Sequence, residues 1–179
     1  MKFNFLHFIV LLLLTQSCSN QKNTNSISID VLGEVRPDSI QLLNYNHSEA
    51  ITLKGSDTPF QFKQTQPVND AFKINIFKDG NVLSKKVFLD GNDISITGKL
   101  TSDEFIIDTV LNSDVYYKQI AFYSTIDSLK ASTINDSTIN SILLKQIEAN
   151  INHPLSFEIS EYYIEKNKNH KSKLQPLKL

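Results

Sequence analysis

Apolar and polar residues alternate in short segments between residues 26 and 110. In Ser26–Val31 every second residue is Ile or Val, which places the apolar side chains on one face of an extended strand. Turn-forming pairs such as Asp79-Gly80 recur about every ten residues, and no helical run separates the segments. The pattern predicts an antiparallel β-sandwich or a barrel-like sheet rather than alternating strands and helices. The predicted strands are Ser26–Val31, Ser39–Tyr45, Ala50–Leu53, Phe60–Phe62, Phe72–Ile76, Val82–Leu89, Ile94–Thr97 and Glu104–Val110.

Beyond Asn112 the spacing of apolar residues lengthens from two to about 3.6 residues, which is typical of helices with one buried face. We expect His153-Pro154 to separate a second helix from a third, because the residue before a proline is pushed out of helical geometry. Ile151 then lies on the apolar stripe of the second helix. Since such stripes cannot face water, the helices should pack on the sheet or on each other. The helices are predicted to start at Asn112 or Ser113, at Asn135 or Asp136, and at Leu155, and the third is predicted to end at Lys166.

The predicted fold class is α+β, with an antiparallel sandwich or barrel-like sheet followed by about three C-terminal helices. A length of 179 residues is enough for one domain with a substantial core. We expect a β-rich domain over residues 26–111, a helical segment over 112–166 and a frayed, Lys-rich tail over 167–179.

Residues 1–17 have the pattern of a bacterial export signal. Lys2 provides a positive charge, and an unbroken apolar run follows at residues 8–14. The apolar stretch from Phe3 to Leu14 is shorter than the roughly 20 residues that a membrane-spanning helix needs. A buried core helix is the alternative, but nothing polar patterns the run. The segment is therefore predicted to be a signal peptide.

The only cysteine, Cys18, follows this run directly. The arrangement resembles the lipobox of bacterial lipoproteins, in which the cysteine is acylated and becomes the first mature residue. Ser17 fits that pattern, whereas Thr15 stands where leucine is common and Gln16 is larger than the usual small residue. Cys18 is predicted to be the lipid-attachment site, anchoring the protein in a membrane through two or three acyl chains. The alternative is cleavage after Ser17 without lipid, which would release a soluble protein.

Residues 18–25 are small and polar, and we expect them to form a flexible tether between the anchor and the folded part. In Bacteroidetes lipoproteins an acidic cluster just after the cysteine is associated with display on the cell surface. No such cluster follows Cys18, which favours a position facing the periplasm. We therefore expect the protein in the cell envelope, anchored by lipid to the inner leaflet of the outer membrane.

Composition excludes several function classes. The chain has 18 basic and 19 acidic residues, so no excess of positive charge indicates nucleic-acid binding. A single cysteine excludes an internal disulfide, a Cys-x-x-Cys redox pair and a multi-cysteine zinc site. There is no Gly-x-Ser-x-Gly motif and no phosphate-binding glycine loop. We expect no catalytic residue, no metal site and no cofactor, and therefore a protein that is not an enzyme.

Single residues that could carry chemistry have simpler structural explanations. Asp90–Asp93 only partly matches a calcium loop, because Thr101 stands where a ligating Glu is needed, so the segment is predicted to be a hairpin turn. Lys85 and Lys86 are expected to be solvated charges. His7 is expected to be removed with the signal, and the other three histidines lack metal-type spacing and are expected at the surface or at caps: His47, His153 and His170. Five tyrosines are expected to pack helices rather than to form a ligand cage: Tyr116, Tyr117, Tyr123, Tyr162 and Tyr163.

Three short motifs resemble a known module: Asp57–Phe62 with its Phe-x-Phe unit, Gly91–Gly98, and the Asn-His-Pro-x-Ser break at Asn152–Ser156. With the lipoprotein signal, they resemble the amino-terminal domain of Bacteroidetes thiol-disulfide oxidoreductase lipoproteins, the domain of unknown function numbered 4369. In that family a thioredoxin-like domain with a Cys-x-x-Cys motif follows. The resemblance covers roughly residues 26–165. No catalytic residue is carried over, and we expect either a stand-alone copy of the module or a chain truncated relative to its relatives.

Two binding functions remain open, and an enzyme is the third, less favoured option. The first is a non-catalytic, periplasm-facing lipoprotein that binds a protein or peptide, with an accessory role for a separate thiol-disulfide oxidoreductase as one form of it. That function predicts an exposed apolar or edge-strand surface. The alternative is a lipoprotein that binds a small molecule or glycan, which predicts a concave pocket with an aromatic lining. The absence of Trp makes sugar stacking depend on Tyr and Phe and favours the first function.

Overall fold

The computed structural model describes residues 25–45, 50–55, 58–131 and 133–170. Cys18, the signal segment, His7, His47 and the chain beyond residue 170 lie outside the described residues. In this part of the chain the strands are β1 (Asn25–Leu32), β2 (Ser39–Asn44), β3 (Ala50–Lys54), β4 (Phe60–Gln64), β5 (Val68–Lys78), β6 (Asn81–Gly91), β7 (Ile94–Leu100) and β8 (Phe105–Leu111). The helices are α1 (Asp114–Ala131), α2 (Asp136–Ala149) and α3 (Leu155–Asn167).

The strands form two four-stranded open sheets. The first sheet has the order β4-β1-β7-β8 and the second has the order β3-β2-β5-β6. The predicted α+β class is confirmed, and its sheets form a sandwich rather than a closed barrel. One pair departs from the antiparallel expectation, because β1 and β7 run parallel with Ile27 opposite Ile94. The alternation of apolar residues sets the buried face of a strand but not its neighbour or its direction, so this pair could not be predicted.

The core between the sheets consists of alternate strand residues. Ile27 and Ile29 of the first sheet and Ile74 and Ile76 of the second are fully buried. In β1 the side chains of Asn25, Ile27, Ile29 and Val31 are buried. The residues between them are only partly buried, as expected for a strand with one buried face. The period of two in the sequence therefore corresponds to one buried face per strand.

The two aspartate-glycine turns behave differently. Asp79 and Gly80, with φ of 49° and 78°, close the hairpin between β5 and β6. The predicted hairpin at Asp90–Asp93 is wrong, because β6 pairs with β5 whereas β7 pairs with β1 and β8, so the chain passes from one sheet to the other. Gly91 has a φ of 115°, and a Cβ there would lie 2.4 Å from the carbonyl oxygen of Asn112. Turn residues indicate a change of direction, but not which sheet receives the next strand.

The helices pack on the outer face of the second sheet and on each other. Asn135 caps α2 by accepting a hydrogen bond from the amide of Thr138 at 2.9 Å, as predicted. The helix ends at Ala149, so Ile151 is outside it and 51% exposed, which corrects its predicted place on a buried stripe. Within the described residues, no helix is both long and apolar enough to cross a membrane. The buried apolar residues of this layer are Ala71, Phe88, Val115, Phe122, Ile126, Leu129, Leu143, Ile147, Leu155, Ile159 and Tyr163.

The start of α1 is capped from the sheet rather than by a local residue. Oδ1 of Asp90 accepts hydrogen bonds from the amide of Val115 at 2.8 Å and from the hydroxyl of Ser113 at 3.0 Å. Ser113 Oγ in turn accepts a hydrogen bond from the backbone amide of Asp90. The side chain of Asn112 instead donates to the carbonyl of Asp93. The predicted cap at Asn112 or Ser113 is thus replaced by the carboxylate of Asp90, which ties α1 to the end of β6.

Candidate functional site

Some of the described residues that the sequence singled out do meet: His153 lies near Asp90, and Lys86 and Tyr123 both contact Glu158. In the described part of the chain, no three His, Cys, Asp or Glu side chains lie together as metal ligands would. His153 lies between α2 and α3 with its Nδ1 3.8 Å from Oδ2 of Asp90, and His170 is exposed after α3. The candidate site therefore has to be found from surface shape rather than from a ligand or catalytic set.

A groove of about 240 Å³ combines exposed aromatic rings with charged groups. It lies between the outer face of the second sheet and the start of α3, and we call it the β6–α3 groove. Its floor is Ala71 and Phe88, and its walls include Tyr45 on one side and Phe157 on the other. The lining residues are Tyr45, Ala71, Lys86, Phe88, Pro154, Phe157, Glu158 and Glu161.

Strand register explains why the groove exists on the sheet side. The β5–β6 pairing places Ala71 opposite Phe88. The amide of Tyr45, just beyond β2, donates to the carbonyl of Ala71 at 3.0 Å. The three residues therefore form one row across the sheet, in which the small alanine lies between two aromatic residues. The missing bulk at Ala71 leaves the depression between the rings.

Helix periodicity explains the opposite wall. Leu155, Ile159 and Tyr163 are spaced four residues apart and are all buried against the helical layer. Phe157 lies two residues from Leu155 and therefore projects from the other side of α3. Its side chain is 73% exposed, the largest exposed fraction among the bulky apolar residues that the structure describes. An apolar ring of this size stands in solvent directly beside the groove.

Glu158 connects α3 to the sheet. Its carboxylate accepts hydrogen bonds from the ammonium of Lys86 on β6 and from the hydroxyl of Tyr123 on α1. The Glu158 side chain is only 18% exposed. Burial alone would raise the pKa of this carboxyl, but the hydrogen bonds from Lys86 and Tyr123 and the charge of Lys86 outweigh burial and lower the pKa. Glu158 is therefore held in its ionised form.

Tyr123 is held in its neutral, donating form. Burial, followed by the hydrogen bond to Glu158 and the negative charge of that carboxylate, raises the pKa of Tyr123 to about 12. The phenol therefore cannot act as a general base near neutral pH. Lys86, Glu158 and Tyr123 satisfy one another, an arrangement that attaches α3 to both β6 and α1.

The ammonium of Lys86 also lies against aromatic rings. It is 5.1 Å from the ring centre of Phe88 and 5.8 Å from that of Tyr45, both within cation–π range. Lys86 is 39% exposed, so it is partly solvated as expected, but it also contacts Glu158 of α3, Phe88 of β6 and Tyr45 just beyond β2. We call this part, formed by Tyr45, Lys86, Phe88 and Glu158, the inner half of the groove. It holds a cation between two rings and a carboxylate.

A larger cleft of about 510 Å³ lies at the end of the sandwich that carries the β5–β6 turn. Two of its charged residues have partners within this chain: Arg36 donates to the carbonyl of Val31 at 2.7 Å, and Lys78 contacts Asp79 at 3.0 Å and Asp38 at 3.6 Å. The hydrogen bond to Asp79 is the main cause of a raised pKa at Lys78. The cleft is lined by Glu34, Val35, Arg36, Lys78, Asp79, Asn81, Leu83, Thr101 and Ser102, with no aromatic ring among them.

The aromatic residues divide between packing and the groove. Tyr163 is fully buried, and Tyr116 packs edge-on against Tyr117 with ring centres 5.3 Å apart, as the packing prediction expected. Tyr123 has the additional role of donating to Glu158. Sequence reasoning missed Phe157 and Tyr45. The available signal for Phe157 was its position off the Leu155 stripe, whereas nothing local marks Tyr45.

No family model, curated protein or solved structure matches this chain.

Proposed function

We propose that this chain is a lipid-anchored, periplasm-facing lipoprotein without catalytic activity, which binds a protein or peptide partner at the β6–α3 groove. The observation that carries the proposal is the exposed ring of Phe157 beside a groove floored by Phe88. Aromatic side chains around a depression are typical of the residues that dominate protein interfaces. The groove therefore has the chemistry of a surface that receives one anchoring side chain.

Size favours a peptide over a small molecule. Pockets that enclose small ligands usually have volumes of about 300–1,000 Å³. The β6–α3 groove, at about 240 Å³, is below that range. The 510 Å³ cleft is within it, but its lining offers no ring for sugar stacking. A glycan or small-molecule function is thus the weaker alternative.

The envelope location is supported by the sequence pattern at Cys18. A short apolar run followed closely by a cysteine resembles the signal of an acylated export substrate, with departures at Thr15 and Gln16. If Cys18 carries lipid, no other residue of this sequence offers a thiol for disulfide exchange. The resemblance to the domain of unknown function numbered 4369 then implies an accessory, binding role beside a separate oxidoreductase. Cys18→Ala should leave an unprocessed precursor, and normal maturation of that variant would contradict lipidation.

Partner binding is tested by photo-crosslinking in cells. A benzoyl-phenylalanine placed at position 157 should give a discrete crosslinked product. The same probe at position 106 should not, because Ile106 is also apolar and exposed but lies on β8 of the first sheet. The product should weaken when Tyr45→Ala removes the opposite wall. Equal crosslinking at both positions, or no effect of Tyr45→Ala, would refute a specific role for the groove.

A further inference from the structure

We infer that the partner side chain received by the β6–α3 groove is an arginine, which stacks on Phe157 and pairs with Glu161. This inference rests on the proposed partner binding and specifies its chemistry. It follows from a repeated pattern: the inner half of the groove already holds a cation between aromatic rings and a carboxylate. The outer half offers a ring and a carboxylate without a cation from the described residues.

The inner half shows the pattern complete. The ammonium of Lys86 pairs with Glu158 and lies 5.1 Å from the ring centre of Phe88. Both contacts come from this chain, and the side chains of Lys86 and Glu158 are 39% and 18% exposed, so the ion pair is partly shielded from water. Shielding strengthens a cation–π contact relative to one in open solvent. The inner site is therefore occupied and unavailable to a partner.

The outer half of the groove, formed by Phe157 and Glu161, also presents a ring and a carboxylate, one helical turn apart. Phe157 and Glu161 are separated by four residues on α3, so their Cβ atoms lie about 5–6 Å from each other on one face. Both side chains are exposed, and both line the groove. A guanidinium laid on the ring of Phe157 would reach the carboxylate of Glu161. A planar guanidinium suits this arrangement better than an ammonium, because it can stack on the ring and at the same time form a bidentate hydrogen bond with the carboxylate.

Charge complementarity also favours a cationic occupant. Lys86 balances Glu158, which leaves Glu161 as surplus negative charge in the groove. The next carboxylate along α3, Glu165, is paired with Lys168 at 2.6 Å. In contrast, no described residue forms an ion pair with Glu161. An anionic lipid headgroup would be repelled here, so a membrane surface is the less favourable occupant.

The test is an NMR titration of the full chain in detergent micelles with two matched fragments. N-acetyl-arginine amide carries the guanidinium, and N-acetyl-citrulline amide replaces it with a neutral group of nearly the same shape. We expect the arginine fragment to shift the amide signals of residues 157–161 and to bind at least about fivefold more tightly than the citrulline fragment. Glu161→Gln and Phe157→Leu should each remove most of that preference.

Glu165→Gln is the matched control, because it removes a carboxylate from the same helix that is already paired. It should leave the arginine preference unchanged. Equal binding of the two fragments, or an unchanged preference in Glu161→Gln, would overturn the inference. So would perturbation of the same signals by phosphatidylglycerol vesicles but not by arginine. If the fragments fail while crosslinking at position 157 persists, partner binding stands and only its arginine specificity is lost.

Discussion

The core between the two sheets and the core beneath the helices use the same apolar residue types but join their layers differently. Seven strands bury apolar side chains between the sheets, and both sheets contribute fully buried isoleucines such as Ile29 and Ile74. Beneath the helices, the described part of the sheet contributes only Ala71 and Phe88. The helical layer therefore has mainly a core of its own, to which the sheet contributes two residues.

Tyr116 of α1 is buried in the core between the sheets, and polar contacts supply further attachment. Asp90 caps α1, and Lys86 holds Glu158 of α3. The amide nitrogen of the Asn69 side chain donates to the carbonyl of Asn152, in the connection between α2 and α3, at 3.0 Å. The sandwich thus depends on shape and apolar burial, whereas ionised groups also contribute to the attachment of the helices, at Asp90 and at the pair of Lys86 and Glu158. The two regions should therefore respond differently to cavities, to charge removal and to pH.

The largest effect should come from a cavity in the sandwich. Phe62→Ala removes a side chain that is 1% exposed, and it should lower the free energy of unfolding by about 3–5 kcal/mol. Urea unfolding followed by circular dichroism measures this change. Phe157→Ala is the control, because loss of its exposed ring should lower the free energy of unfolding by only about 0.5 kcal/mol. Similar losses in the two variants would contradict the distinction between a dry core and an exposed anchor.

Removing the cap of α1 should have a smaller but localised effect. Asp90→Ala leaves the amide of Val115 and the hydroxyl of Ser113 without their acceptor and should cost about 2 kcal/mol. Amide hydrogen exchange should accelerate in α1 more than in β1. Asp108→Ala, which removes a carboxylate from β8 that has only a 3.7 Å contact with Lys99, should cost less than about 1 kcal/mol. Equal acceleration of hydrogen exchange in α1 and β1 would show that Asp90 does not stabilise α1 locally.

Most of the secondary structure could be predicted because its causes are local. Alternation in Ser26–Val31 and helical spacing after Asn112 each reflect a buried face that repeats along the chain. The Asp79-Gly80 hairpin and the Asn135 cap depend on neighbours a few residues apart. For such features, propensity and tertiary packing agree, so a single sequence is informative.

The groove could not be predicted because its residues are brought together from distant segments. Lys86 and Glu158 are 72 residues apart, and the row of Tyr45, Ala71 and Phe88 depends on strand order. Asp90 caps a helix that begins more than twenty residues later. No local pattern distinguishes such a lysine or aspartate from a solvated one, since the partner is chosen by topology.

The attachment through Glu158 should depend on pH. Because the pKa of Glu158 is lowered from 4.5 in the folded state, its contribution is fully present above pH 4.5 and is lost as the pH falls through the folded-state pKa. At neutral pH, Glu158→Gln should cost about 1–2 kcal/mol, since it leaves Lys86 without its anion. The difference between the two proteins should shrink in acid, measured as urea midpoints from pH 7 to pH 3. A constant difference over that range would contradict a charged link.

Tyr123→Phe should produce the smallest change in stability and the most specific change in titration. The hydroxyl is lost from a side chain that is 41% exposed, so about 0.5–1 kcal/mol is expected. Because one hydrogen bond to the Glu158 carboxylate disappears, the pKa of Glu158 should rise, which carboxyl-detected NMR can follow. Tyr117→Phe is the control, since that hydroxyl donates to the carbonyl of Val110 at 2.8 Å instead.

Tyr123→Phe also tests how the stability of the protein depends on pH in the alkaline range. A phenol whose pKa is raised from 10.0 to about 12 adds stability that is complete below pH 10 and is lost as the pH rises toward 12. Wild-type protein should therefore lose stability more steeply than Tyr123→Phe over that interval, and the variant should lack one late-titrating tyrosine in the ultraviolet absorbance. If Glu158 titrates identically in both proteins, the hydroxyl does not stabilise the carboxylate, and the helical layer is attached by Lys86 alone at this point.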